Sequence, residues 1–247
     1  MIVSRIIWSV ALVFAVGGAA WADEGRELER AKIHTELSMQ YFIRGQYGVA
    51  LDEANIAIKA KRNFAPAYNA LALINAELRE DEEAVRAFRK GLSYQSADSD
   101  LNHNYGWFLC ERGKAKDSLP YFRTALRNPL YETPEKALVS AGVCAMRSGD
   151  FDAATIFFDK ALKLKPDYPP ALWNLANESF KLGKPGDARR YLLQLNRTVE
   201  PNAAALWLGV RIERRLGDKE AETAYAEKLK KQFPESKEVA EMLNGQP

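Results

Sequence analysis

One stretch of the chain, residues 135–168, reads EKALVSAGVCAMRSGDFDAATIFFDKALKLKPDY and predicts a hairpin of two α-helices. Gly149 stands at its fifteenth place, where a left-handed backbone ends the first helix. Ala154 stands at the twentieth place, where a small side chain lets the two helices approach closely. Phe158 lies one helical turn later on the same face, and Pro166 stops the second helix. The stretch is therefore one helix–turn–helix unit of 34 residues.

The same pattern recurs along the chain in six rows, which begin at residues 31, 65, 99, 135, 169 and 203. The rows are 34 residues long, except for the third, which has 36. The fifteenth place holds Gly in five rows and Arg79 in the second. The twentieth place holds Ala in four rows, with Ser118 and Glu222 in the others. A regular period of this length indicates units that stack and share one continuous core.

A repeated 34-residue helix–turn–helix unit with these residues resembles the tetratricopeptide repeat (TPR). The resemblance implies an all-α fold, a right-handed superhelical solenoid of six TPR helix hairpins over residues 31–236. Residues 23–30 are expected to be a short lead-in segment and residues 237–247 a C-terminal tail. The sixth repeat is strongly charged towards its end, so we expect it to cap the array with its outer face in water.

The first 22 residues have the layout of a signal peptide. Arg5 precedes an apolar run, Ile6–Val16, and Ala20-Trp21-Ala22 fits a cleavage site, so cleavage after Ala22 is predicted. The alternative is an uncleaved anchor, although the 17 uncharged residues 6–22 are at the lower limit for spanning a bilayer. The first cysteine of the sequence is Cys110, so the lipid-bearing cysteine of a bacterial lipoprotein is missing. Either reading predicts export to an oxidising compartment.

Composition and motifs give no sign of catalysis. The chain has 35 Lys and Arg against 33 Asp and Glu, and a net charge of +2 gives no reason to expect nucleic-acid binding. Two His and two Cys cannot build a three-histidine or a four-cysteine zinc site. No glycine-rich phosphate loop and no His-Glu-x-x-His motif is present. We therefore predict a protein that is not an enzyme, with no cofactor, no metal and no small-molecule substrate.

Three short segments resemble the type IV pilus biogenesis/stability family PilW/PilF. They are NYGWFLC at residues 104–110, the loop Asn128-Pro129-Leu130-Tyr131, and AGVC at residues 141–144. The loop contains the extra residues of the third row and stands before Pro134, so it is expected to be an extended inter-repeat segment. A simple loop insertion is the alternative reading from the residues alone.

The resemblance implies a periplasmic TPR scaffold that acts as a pilotin and supports stable pilus fibres. Its implied partner is the outer-membrane secretin, or another pilus assembly component, held in a concave groove. Members of the family usually carry a lipid anchor; here, outer-membrane association is expected through the partner. The alternative is a TPR adaptor of another envelope system, such as cell-wall synthesis or outer-membrane assembly, and the missing lipid-bearing cysteine keeps it open.

Cys110 and Cys144 occupy the twelfth and tenth places of successive first helices, 34 residues apart. Because such helices run side by side, the two Cβ atoms can come within about 4.5 Å of each other. Export supplies the oxidant, which favours a disulfide that would contribute about 3–4 kcal/mol in the chain-entropy model. The alternative is a pair of buried free thiols, which behave as small hydrophobic side chains.

The first helices of a TPR array line its concave face, and apolar or aromatic residues recur at the places expected to point into it. Such a strip is typical of a seat for an extended peptide or a helix. The alternative is that some of these side chains, above all Trp107 and Trp173, fill gaps between helices. Trp207 and Arg211 are expected at the same face of the last repeat. The residues predicted to bind a partner are Met39, Phe42, Asn69, Leu73, His103, Trp107, Val143, Trp173, Asn177 and Phe180.

Overall fold

The structure is a computed structural model that describes the backbone of residues 3–245 and the side chains of residues 23–245. The side chains of the predicted signal peptide, residues 1–22, lie outside the described part. Thirteen α-helices and no strand form the described backbone, which confirms the predicted all-α class. They are α1 (Val3–Ile43), α2 (Tyr47–Ala60), α3 (Ala65–Glu77), α4 (Asp81–Tyr94), α5 (Ser99–Glu111), α6 (Ala115–Ala125), α7 (Pro134–Arg147), α8 (Phe151–Leu164), α9 (Pro169–Lys181), α10 (Pro185–Thr198), α11 (Ala203–Leu216), α12 (Lys219–Gln232) and α13 (Lys237–Leu243).

The turn inside each hairpin takes a left-handed backbone. All six residues at the fifteenth place have positive φ, from 64° at Arg79 to 81° at Gly149. After α11, Gly217 has φ 78° and its N–H reaches the carbonyl oxygens of Arg214 and Glu213. Glycine adopts this conformation without steric cost, whereas at Arg79 the side chain carries a penalty of about 1–2 kcal/mol. The turns therefore follow from the local sequence.

Small residues and rings fill the hairpin interiors, as the repeat pattern predicts. At the twentieth place, Ala50, Ala84 and Ala188 are completely buried. At the twenty-fourth place, the largest side chains are also buried: Phe88, Phe122, Phe158 and Leu192. Burying a ring or a leucine in this way stabilises the fold by about 1.5–3 kcal/mol per side chain.

The chain divides into two compact units. The first contains the chain up to Leu109 together with Arg123–Pro129. Its hairpins are α1/α2 and α3/α4, and the ring of Phe88 stacks on Tyr105 with centroids 5.0 Å apart. Residues 23–30, predicted as a lead-in segment, belong to the long helix α1.

The second unit contains Cys110–Phe122 and the chain from Leu130 onward. Its hairpins are α7/α8, α9/α10 and α11/α12. Within it, Arg189 of α10 donates to the buried carboxylate of Glu213 on α11, with Nε 3.0 Å from Oε1. This charged bond joins the fifth hairpin to the sixth.

A further helix ends the second unit. Residues predicted to be a C-terminal tail fold as α13, whose first residue, Lys237, lies 34 residues after Ala203. The side chain of Ser236 caps the helix by accepting from the N–H of Val239. Val239 is buried against α11 and α12 together with Trp207 and Leu229. Helix α13 thus packs on α11 as another first helix would, which extends the repeat beyond the six predicted rows.

Candidate functional site

A disulfide joins Cys110, at the end of α5, to Cys144 of α7. Their Cα atoms are 5.7 Å apart, and both side chains are buried in the second unit. The guanidinium of Arg147 lies 3.8 Å from the Cys110 Sγ atom. Of the alternatives left open by the sequence, the structure contains the disulfide, and the bond fixes the end of α5 to the middle of α7.

The loop with the family sequence, Asn128–Tyr131, lies between α6 and α7. Its first residue belongs to the first unit, where the Asn128 side-chain amide donates to Ser99 Oγ at 3.3 Å. Tyr131 belongs to the second unit and is 8% exposed. Leu130 is 84% exposed, which makes it a prominent apolar side chain on the surface of that unit.

In the first unit, the six predicted groove residues are all half-buried, namely Met39, Phe42, Asn69, Leu73, His103 and Trp107. Two of them also hold neighbouring helices together. The Phe42 ring packs against the cluster of Ala50, Ala54 and Ile74. The Asn69 side-chain oxygen accepts from the Asn104 amide at 3.1 Å, which links α3 to α5. The packing role therefore applies to Phe42 and Asn69, and partner binding by these six residues stays a prediction.

In the second unit, the four predicted groove residues are also half-buried: Val143, Trp173, Asn177 and Phe180. Trp173 and Phe180 of α9 pack against a core cluster that includes Leu172, Leu192 and Leu208. Trp173 is thus packed between elements, as the alternative reading held, yet part of it stays accessible.

An apolar cleft of ≈ 260 Å³ opens beside Trp173. Its walls come from helices α9, α10 and α11 and from the loop between α10 and α11, so the repeat pattern alone does not predict it. The Asn196 side-chain oxygen in this cleft is buried and has no hydrogen-bond donor among the described residues, while its amide donates to Tyr225 Oη at 3.3 Å. The cleft is lined by Pro169, Pro170, Trp173, Leu195, Asn196, Val199, Glu200, Pro201, Asn202 and Ala205.

The structure corrects the expectation for Trp207. We predicted this ring at the open face of the last repeat, but it is only 4% exposed. Helix α13 covers it, and Val239 and Met242 pack in the same cluster. Trp207 is therefore buried because α13 packs against α11 at this position.

Arg211, one turn after Trp207, remains half-buried. Its guanidinium lies 5.1 Å from the centroid of the Phe180 ring and 5.6 Å from that of Trp207. Burial lowers the pKa of Arg211, and the charge of Glu241 opposes this effect. The Nε–H group is buried and has no acceptor in the described part of the chain. The last repeats therefore place a desolvated cation between two aromatic rings.

Histidines and acidic residues show no metal-binding arrangement where the structure describes them. His34 Nδ1 lies 2.5 Å from Glu53 Oε2, and this contact joins α1 to α2. Among the side chains that the structure describes, those of residues 23–245, no three His, Cys, Asp or Glu group as metal ligands would. Within residues 23–245, no helix has the length and apolar character needed to cross a membrane.

Sequence models of the tetratricopeptide repeat match residues 65–98, 109–169 and 145–208. Together they reach from the second repeat into the sixth. The helical hairpins and these matches identify the fold as an all-α TPR solenoid.

The chain is similar to the type IV pilus assembly protein PilF of Pseudomonas aeruginosa, with 26% identity over 219 residues, 89% of this chain and 86% of that protein. It is 33% identical to the crystal structure of PilW, described as a widely conserved type IV pilus biogenesis factor, with a TM-score of 0.78 over 86% of this chain and 98% of that one. The solved structure of P. aeruginosa PilF superposes with a TM-score of 0.79 at 24% identity, covering 89% and 99% of the two chains. The likeness spans almost the whole length of each relative.

Proposed function

Because the chain belongs to the PilW/PilF family of type IV pilus biogenesis TPR proteins, we propose that it is a periplasmic, pilotin-like scaffold. It binds the outer-membrane secretin, or another pilus assembly component, and associates with the outer membrane through that partner. When bound to that partner, the protein keeps the pilus machine assembled and the pilus fibre stable. Its work is binding, so no bond is made or broken at its surface.

The observation that supports this proposal best is the full-length likeness to PilW, 33% identical over 98% of that chain. TPR folds in general bind many unrelated proteins. The proposal therefore rests on the pilus relatives rather than on the fold. The cysteine-containing segments and the Asn128–Tyr131 loop are part of the sequence resemblance to this family, and the two cysteines form a disulfide in the structure.

The faces proposed to bind are those of the first helices, taken separately in each unit. Each face presents half-buried side chains of mixed character, such as Leu73 in the first unit and Trp173 in the second. When a peptide covers half-buried rings and aliphatic chains, their remaining apolar surface leaves water. This burial favours binding by about 25 cal/mol per Å² of apolar surface. Covering such residues is how a helix or an extended segment gains affinity in a groove.

The test is a deletion strain complemented with variants. Wild type is expected to restore pili and to capture the secretin from a detergent extract of the native envelope, as identified by mass spectrometry. The double variant Leu73→Ala/Trp107→Ala is expected neither to restore pili nor to capture the secretin. A matched control, Ile156→Ala/Leu164→Ala, removes two apolar side chains that are 54% and 58% exposed on the second helix α8 and should behave as wild type.

Two results would count against the proposal. Unchanged piliation in the deletion strain would show that the protein is not needed for pilus biogenesis. Capture of cell-wall enzymes or outer-membrane chaperones without the secretin would favour an adaptor for another envelope system.

A further inference from the structure

We infer that the apolar cleft beside Trp173 seats an aromatic side chain of the partner, in a segment where the next residue is Lys or Arg. The incoming ring takes the position that Tyr168 fills in the preceding repeat. The inference rests on the proposed function, since it names what the partner presents to the second unit.

The preceding repeat contains a ring at the equivalent position. Tyr168 stands at place 34 of the fourth row and directly precedes α9. The centroid of its half-buried ring lies 5.1 Å from the Nζ atom of Lys165, at place 31. Burial and the negative charge of Glu135, at place 1, raise the pKa of the Tyr168 hydroxyl. The ring therefore lies near places 1 and 31 of its own repeat.

The fifth row has no ring at that position. Place 34 holds Asn202, whose side-chain oxygen accepts from the N–H of Ala205 at 2.9 Å. The side chain thus caps α11 and does not fill the gap. Places 1 and 31 of this row are Pro169 and Val199, and both line the cleft. The cleft is therefore the space that an aromatic side chain occupies one repeat earlier.

The size and walls of the cleft suit a single side chain. Its volume of ≈ 260 Å³ is below the about 300–1,000 Å³ of pockets that hold drug-sized molecules. Pro169, Pro170 and Pro201 form part of its walls. Proline has a fixed φ and no N–H group, so these walls are stiff and offer no backbone donor. A stiff apolar wall favours a ring, which buries a large area with few rotatable bonds.

Trp173 favours an aromatic side chain over an aliphatic one. It lines the cleft and is half-buried, so part of its indole is open to a ligand. Aromatic pairs gain an interaction beyond the burial of their surface when they stack offset or edge to face. A leucine in the cleft gains the burial alone. The cleft therefore selects Phe, Tyr or Trp.

Glu200 sets the charge expected beside the ring. It is the one charged residue among the ten that line the cleft, and it is exposed. A carboxylate at the rim attracts a cationic neighbour of the bound ring and repels an anionic one. We therefore expect Lys or Arg next to the aromatic residue.

The first experiment uses the protein expressed from its full-length gene and a bead library of N-acetylated, C-amidated nonapeptides with random sequence. Peptides that bind wild type are expected to be enriched in an aromatic residue beside Lys or Arg. The enrichment should vanish with Asn202→Tyr, which places a ring where Tyr168 has one. It should persist with Asn202→Ser, which keeps a capping side chain and leaves the cleft open. Circular dichroism and thermal melting verify that each variant is folded.

Selected peptides are then resynthesised for measurements of the Kd. Replacing the aromatic residue by Ala is expected to raise the Kd about tenfold or more. Val199→Lys, at an exposed wall of the cleft, should weaken binding of the original peptide to a similar degree. Leu193→Lys is the matched control: this leucine is 44% exposed on the same helix, against 42% for Val199, and it does not line the cleft.

Glu200→Gln tests the charge separately. The variant is expected to keep the preference for the aromatic residue and to lose the preference for Lys or Arg beside it. An unchanged preference for the basic neighbour would overturn that part of the inference.

Four results would overturn the inference as a whole. They are absence of binders, binders without aromatic enrichment, enrichment that survives both Asn202→Tyr and Val199→Lys, and a dimer of wild type that Asn202→Tyr abolishes. The last result would mean that a second copy of the chain fills the cleft. All four leave the proposed function standing, because piliation of the deletion strain tests that function separately.

Discussion

A Cβ atom placed on Gly142 would lie 2.5 Å from Cε1 of the Phe158 ring. The ring is 1% exposed, and it fills the space that any other side chain at position 142 would need. Gly142 on α7 and Phe158 on α8 are therefore one packing unit, in which the absence of a side chain on one helix makes room for a ring on the other.

Gly142→Ala is expected to destabilise the protein by about 1–3 kcal/mol, since the new methyl group forces the buried ring aside. The melting temperature measured by circular dichroism should fall by about 2–4 °C per kcal/mol for a chain of this size. Gly48→Ala is the matched control: its Cβ meets nothing within 4 Å in α2, so it should hold or raise stability. An equal fall in melting temperature for Gly48→Ala and Gly142→Ala would contradict the proposal that the Phe158 ring fills the space beside Gly142.

Arg79→Gly is expected to stabilise the protein by up to about 1 kcal/mol. Arg79 has φ 64°, the one non-glycine residue with positive φ among those described. Glycine relieves the left-handed strain, and the greater freedom of the unfolded chain offsets part of the gain. Urea unfolding measures the change. Arg89→Gly inside α4 should show the opposite sign, a loss of about 1 kcal/mol; a loss at position 79 as well would mean that the turn is not strained.

Replacing both cysteines by alanine, Cys110→Ala/Cys144→Ala, is expected to lower the free energy of unfolding by about 3–4 kcal/mol. The disulfide closes a sequence separation of 34 residues. A reductant should lower the stability of wild type to a similar degree and leave the variant unchanged. Equal effects of the reductant on both proteins would show that the bond is not the cause.

Glu222→Gln is expected to lose stability at neutral pH and to match wild type in strong acid. Hydrogen bonds from Arg214 and Lys219 lower the pKa of Glu222, so its folded pKa lies below its unfolded one. The ionised carboxylate therefore stabilises the protein above the usual Glu pKa of about 4.3, and this contribution disappears as the pH falls through the folded pKa. The loss at pH 7 should be about 0.2–1 kcal/mol, as for other partly exposed pairs.

Unfolding free energies measured between pH 2 and 7 test this dependence. Glu227→Gln, an exposed carboxylate on the same helix α12, is the control and should leave the pH profile of wild type unchanged. A constant difference between wild type and Glu222→Gln across the whole range would exclude the ion pair as its origin.

The candidate site was less predictable than the fold. Position within a repeat predicts which side chains face the groove; the ten predicted residues are half-buried, and their orientation towards a partner stays a prediction. The same rule was wrong for Trp207, because α13 covers it. The cleft at Asn196 escaped the sequence analysis, since its walls come from α9, α10, α11 and the loop between the last two.

The sequence alone determined the helical hairpins, their turns and the small and large side chains inside them. These features depend on contacts within about 34 residues, and a left-handed Gly149 or a buried Ala154 is dictated by neighbours in its own repeat. The tertiary structure alone decided that Trp207 is covered while Arg211 is left half-buried between two rings. That outcome depends on how α9, α11 and α13 pack together, and the burial and charge pairing of a side chain are set by whichever helices surround it.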